Sequence, residues 1–98
     1  MIIVTGSVQA RPDQLADVLA LSLEHVRRSR LEPGCLLHTV HQDVEDPLRV
    51  VFVEHWQDLD ALRAHFAVPA STGFVTGLSD LVAGRPTLEI YDATPTTV

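Results

Sequence analysis

Lysine is absent: all seven basic residues are arginines, set against thirteen acidic residues for a net charge of -6. No basic cluster is larger than Arg27, Arg28 and Arg30. A phosphate-binding surface needs many more cations than that, so nucleic-acid binding is excluded as a role. Cysteine is nearly absent. The single Cys35 can form neither an intrachain disulfide nor a multi-cysteine zinc site. Long apolar runs are missing, and none approaches the roughly 20 residues that a membrane helix requires. Met1 to Val4 lead straight into a strand pattern with no basic leader, which argues against a secretion signal. A cytoplasmic setting is therefore expected. GxGxxG, P-loop and GxSxG patterns are lacking as well, which removes the familiar dinucleotide, NTP and serine-hydrolase sites.

What is present is 98 residues, 46% of them hydrophobic. That suits one globular domain over residues 1–98, with a loosely held tail at 92–98. A domain of this size buries only about 60–65% of its unfolded surface, so association with a second copy would add useful stability.

The apolar pattern orders the elements. Ile2 to Gln9 reads as a strand. Arg11-Pro12-Asp13 suits a helix start, because proline fixes φ there and the carboxylate meets the positive end of the dipole. Leu15, Val18, Leu19, Leu23 and Val26 then recur at helical spacing and predict the buried face. The helix should stop before Glu32-Pro33-Gly34. Cys35 to Gln42 and Arg49 to Trp56 are strands, joined by a turn over Asp43 to Pro47 into an antiparallel hairpin. Asp58 is a suitable N-cap for a helix from Leu59 to Phe66. Pro69 interrupts it, and a further helical piece is expected at about Ser71 to Val82, with Phe74, Leu78 and Leu81 on one face and Gly84 after its end. Thr87 to Tyr91 closes the order as a strand. This β-α-β-β-α-α-β order predicts an α+β, ferredoxin-like split βαβ with helices on one face of an antiparallel sheet.

Both faces of that sheet are apolar. Val50 and Phe52 point one way and Val51 and Val53 the other, and Leu36 and Val40 oppose Cys35 and Leu37. Helices cover one face only, so the second predicts a homodimer through the sheet.

Candidate chemistry is sparse. His38 and His41 lie three apart on a strand and point to opposite faces, so they cannot share an ion, and no metal ligand set is read. Cys35, after Pro-Gly at a strand start, suits packing better than catalysis. Glu54 shares a strand face with Val50, Phe52 and Trp56. A carboxylate there needs a partner, either a backbone N–H or an arginine, with Trp56 as an anchor of the core. His55, on the other face, suits solvent. His65 falls at the edge of the face made by Leu59, Leu62 and Phe66, where its ring can look into a space between helix and sheet. His38 can meet that space from the middle of its strand. A neutral imidazole there can take a proton near neutral pH.

The segment EPGCLLHTVHQDVEDPLRVVFVEHWQDLDALRAHFAVP, Glu32 to Pro69, resembles the antibiotic biosynthesis monooxygenase domain family. The resemblance rests on Pro33-Gly34, Asp43 with Pro47, Glu54 with Trp56, and Ala64-His65. It implies a ferredoxin-like protomer that pairs into a dimeric α+β barrel. It also implies a monooxygenase that acts on a small aromatic, phenolic or quinol substrate without metal or flavin, the substrate itself supplying the electrons. His65 and His38 are then the candidate catalytic residues, and Trp56, Phe66, Phe74 and Glu54 the candidate substrate-binding ones. Haem-degrading relatives of the same superfamily use a helix histidine, a helix tryptophan and a first-strand asparagine. Here His65 falls near the tryptophan's place, Phe74 and Val75 near the histidine's, and the first strand has no asparagine, so no haem is expected. The alternative is a non-catalytic dimeric ligand-binding or stress-response module. A polar-tipped apolar cavity holding His65 and His38 would favour the enzyme, and a filled core the module.

Overall fold

The computed structural model describes all residues from Met1 to Val98. Strand β1 spans Ile2–Ala10, helix α1 Leu15–Ser29, β2 Cys35–Gln42, β3 Arg49–Trp56, α2 Leu59–Ala67, α3 Pro69–Ser79 and β4 Val82–Asp92. The four strands form one sheet in the order β2-β3-β1-β4, and every neighbouring pair is antiparallel. This is the ferredoxin-like arrangement that the order of elements predicts.

Register follows from the period of two. In β1 the even positions from Ile2 to Ala10 are the buried ones, and in β3 these are Val50, Phe52, Glu54 and Trp56. Pairing of Val4 with Glu54 and of Gly6 with Phe52 puts both sets on the helix side. His38 pairs with Glu54 from β2 and joins that face. The core is thereby split in two. Val8, Ala10, Val18, Val26, Val50, Phe52, Leu78 and Val82 make one apolar cluster. Ile2, Val4, Trp56 and Leu62 make the other. Between them runs a buried polar band containing His25, His38, Glu54 and His65.

Local signals account for most boundaries. Asp58 caps α2 by accepting the Ala61 N–H at 2.8 Å. Gly34 adopts φ 81°, which ends the α1–β2 connection in a conformation that glycine tolerates best. The β2–β3 turn is held by Asp43 and Asp46, whose carboxylates accept the Glu45 and Leu48 N–H groups.

Four expectations need correction. Arg11 to Asp13 form a turn rather than the first turn of the helix, which begins at Leu15. Pro69 does more than interrupt: it sits in the first turn of α3, which therefore runs Pro69–Ser79 rather than Ser71 to Val82. β4 begins at Val82, five residues before Thr87, and Gly84 lies inside it. There its φ of 71° coincides with a shift of register against β1. Finally, the buried faces of α1 and α2 are rotated. α1 buries Val18, Ser22, His25, Val26 and Ser29, while Leu23 is exposed. α2 buries Leu62 and His65 and leaves Leu59 and Phe66 exposed. Each helix thus turns a histidine toward the sheet while part of its apolar face, Leu23 in α1 and Leu59 and Phe66 in α2, stays exposed.

Candidate functional site

Three histidines from three elements meet over the sheet. His25 comes from the third turn of α1, His38 from the middle of β2 and His65 from the last turn of α2. Their ring centroids stand 5.3 Å (His25 to His38), 5.3 Å (His25 to His65) and 5.5 Å (His38 to His65) apart. A nitrogen from each ring lies within 4.8 Å of the others. All three are buried.

Glu54 sits beneath them. Its Oε1 accepts the Trp56 indole N–H at 2.9 Å. The same oxygen lies 3.3 Å from His38 Nε2 and 3.8 Å from His65 Nε2. Burial acts to raise the carboxyl pKa. The contacts with His38, the Trp56 N–H and the nearby His65 outweigh burial and hold it below the ordinary carboxylate range. Glu54 is therefore an anion in the site, partnered by an indole rather than by backbone or arginine.

His65 is oriented from its other side. Its Nδ1 lies 2.8 Å from Glu32 Oε1. An ionised carboxylate accepts only, so Nδ1 carries the proton and Nε2 keeps its lone pair. A carboxylate that fixes the tautomer of a histidine base is the arrangement of hydrolytic triads. Trp56 covers the ring of His65 at 4.6 Å. Neither His38 ring nitrogen has a well-formed hydrogen bond, although the residue is 1% exposed.

The cluster opens onto a cavity of about 430 Å³ between the helices and β1 and β4. His25, His38, Glu54 and His65 form its polar end, and Phe52, Phe66 and Phe74 its aromatic wall. Apolar groups dominate the remainder, as in sites for small organic ligands. The structure thus brings together His65, His38, Glu54, Phe66 and Phe74, all of which the sequence singles out. Trp56 stands behind the cavity rather than in its wall, where it fixes Glu54 and His65. Cys35 is not part of the cavity lining, and burial and the Glu32 and Glu54 carboxylates push its thiol pKa up, away from the nucleophilic thiolate.

Two residues of the site escape a reading of the sequence. Glu32 looks like part of a helix-stopping Glu-Pro-Gly, and nothing local connects it to a residue 33 positions away. His25 is concealed among the polar residues of α1. The spacing of Val18, Ser22, His25 and Ser29 is helical, however, and would have placed all four on one face.

Comparison with known proteins gives the frame. Residues 1–77 match the model of a family described as antibiotic biosynthesis monooxygenase. The chain belongs to the antibiotic biosynthesis monooxygenase family. A crystal structure carrying that family's description, from Deinococcus radiodurans, superposes with a TM-score of 0.95 at 29% identity, over 100% of this chain and 97% of that one. A second, of an antibiotic biosynthesis monooxygenase, gives a TM-score of 0.89 at 33% identity, over 97% of this chain and 100% of that one. Rv0793 from Mycobacterium tuberculosis shares the fold, with a TM-score of 0.90 at 18% identity over 99% and 98% of the two chains. The uncharacterized protein sll1783 of Synechocystis is 33% identical over 90 residues, and this chain spans 61% of its length. As a monooxygenase family member the chain has the expected α+β frame, and no helix in it is long and apolar enough to cross a membrane.

Proposed function

We propose that the protein oxygenates a small phenolic or quinol substrate, with His65 as the general base that Glu32 orients. The observation that carries this reading is the 2.8 Å contact from His65 Nδ1 to Glu32, which leaves Nε2 free at the polar end of an otherwise apolar cavity. A phenol bound ring-first against Phe52 and Phe74 brings its hydroxyl to that end. His65 Nε2 takes the proton, and the imidazolium formed lies between the Glu32 and Glu54 carboxylates, which stabilise it. The phenolate is electron-rich and can reduce dioxygen itself. One oxygen atom enters the ring and the other leaves as water. The substrate supplies all four electrons and ends as the quinone, so the reading asks for no metal or flavin.

The second sheet face supports assembly into a homodimer. Ile3, Val51 and Val53 lie there, and Leu37 and Tyr91 are exposed on it. The cavity favours the enzyme over a ligand-binding module with a filled core. Oxygen uptake with a panel of hydroquinones tests the reading. His65→Ala should lower turnover by roughly 10²-fold or more, the scale for a lost general base. Glu32→Gln should lower it less. Equal rates in His65→Ala and the parent would remove His65 from the chemistry, and no uptake with any member of the panel would transfer support to the binding module.

A further inference from the structure

We propose that His25 is the second half of an oxygen-binding clip: its Nε2–H donates to the same substrate oxygen whose proton His65 takes, so the site selects phenolate-type oxyanions. This rests on the cavity reading above and adds to it a residue, a tautomer and a ligand class.

The tautomer follows from Arg28. Its Nη2 lies 2.6 Å from His25 Nδ1. A guanidinium has donors and no lone pair, so Nδ1 must accept and the ring proton must sit on Nε2. The ring is also neutral. Burial, then the neighbouring His38, His65 and Arg28, bring its pKa down to about 3. Phe74 stacks on the ring face at 3.9 Å and 7°, which fixes its plane. His25 forms part of the cavity wall, and within the protein its ring has one hydrogen bond, that from Arg28.

Opposite stands His65, whose tautomer is the reverse: proton on Nδ1 toward Glu32, lone pair on Nε2. One ring presents a donor and the other an acceptor. The ring centroids stand 5.3 Å apart and a nitrogen of each lies within 4.8 Å of one on the other, a span that one oxygen at about 2.8 Å from both can bridge, and the clip places that oxygen between the two Nε2 atoms. A phenol hydroxyl satisfies both at once. After its proton moves to His65, the oxyanion keeps the His25 N–H, which is stronger toward a charged acceptor.

A divalent cation is the rival occupant. Three imidazoles on one ion at the usual Zn–N distance hold their centroids roughly 5–5.5 Å apart, close to the spacing here. A ligand nitrogen, however, needs its lone pair. Arg28 uses the one on His25 Nδ1 and thereby places a proton on the other nitrogen, and its positive charge repels a second cation.

Two measurements test the clip. The first needs no ligand: nitrogen NMR of histidine-labelled protein should show His25 protonated at Nε2 only. In Arg28→Met that restraint is lost and the proton should redistribute toward Nδ1. The second uses 4-nitrophenol, too electron-poor to be oxidised, whose phenolate is read by its colour. The parent protein should bind the phenolate and lower the phenol's pKa. His25→Phe, which keeps the stack on Phe74, should weaken phenolate binding by about 10- to 100-fold, the scale for a lost hydrogen bond to a charged group. Phenolate binding that is equal in His25→Phe and the parent, or absent from a folded parent, overturns the proposal. So does an Nδ1-protonated ring, or stoichiometric Zn²⁺ binding by the parent protein that excludes the phenol. Phenolate binding that depends on His25 without oxygen uptake would sustain the clip and reject the oxygenase. Uptake with phenolate binding indifferent to His25 would do the reverse.

Discussion

Mild acid should destabilise this protein through one ring. His25 has a folded-state pKa of about 3 against 6.5 when unperturbed. Between those values the unfolded chain binds a proton that the folded chain refuses. Stability is therefore fully present above about pH 6.5, falls as pH drops, and stops falling below about pH 3. At about pH 5 the gap is roughly 1.5 units, worth about 2 kcal/mol at 1.36 kcal/mol per unit. The cavity admits solvent to the ring, and allowing for that screening leaves about 1–2 kcal/mol. Urea unfolding at about pH 7.5 and about pH 5, at one protein concentration, measures it. The parent protein should lose about 1–2 kcal/mol more than His25→Phe between the two conditions. The Glu54 and Asp43 carboxyls, both held below their ordinary range, lose their contributions only in stronger acid, so they do not blur this window. Identical pH dependence in the two proteins would refute the buried, neutral His25 on which the clip depends.

Three further outcomes are expected. Trp56→Phe keeps an aromatic ring in the second core cluster but removes the N–H that Glu54 accepts, so it should cost about 1–3 kcal/mol and raise the Glu54 pKa, both readable from unfolding curves against pH. Asp58→Ala removes the cap of α2 and should cost about 1 kcal/mol in the same assay without altering phenolate binding. Light scattering on a gel-filtration column at micromolar concentration should give twice the 10.8 kDa chain mass, whereas a single-chain mass would reject the sheet-to-sheet dimer.

Strand alternation made the sheet legible in the sequence, because a period of two leaves little freedom of register once one face is buried. The same logic exposed Glu54 as a carboxylate on a greasy stripe and let His38 meet the space between helix and sheet, but it did not show the pairing of His38 with Glu54 across the hairpin. The helices were harder to read. Apolar residues predict a buried face only where the core is apolar, and here α1 and α2 pack over a polar band. Leu23, Leu59 and Phe66 were therefore assigned inward, while His25 and His65 hold those places. The end of α3 was misplaced for a different reason: glycine with positive φ serves helix ends and strand irregularities alike, and Gly84 serves the second. Glu32 was invisible because its role exists only through a contact across the fold.

That contact has an unusual foundation. Gly34, two residues after Glu32, packs so tightly on α2 that an added Cβ would lie 2.6 Å from the Ala61 Cβ. Its carbonyl also accepts the Gln57 N–H at 2.8 Å, just ahead of that helix. The loop bearing Glu32 and the helix bearing His65 are thus seated on one another with almost no side chain between them. The Glu32–His65 contact is therefore set at this seam, outside the aromatic-walled cavity. A larger residue at Ala61 would lift Glu32 from His65 while leaving every cavity-lining side chain unchanged. If His65 is the base proposed above, laboratory evolution of turnover would find its adjusting screw at the Ala61–Gly34 contact, and substitutions there would alter rate before they altered substrate choice.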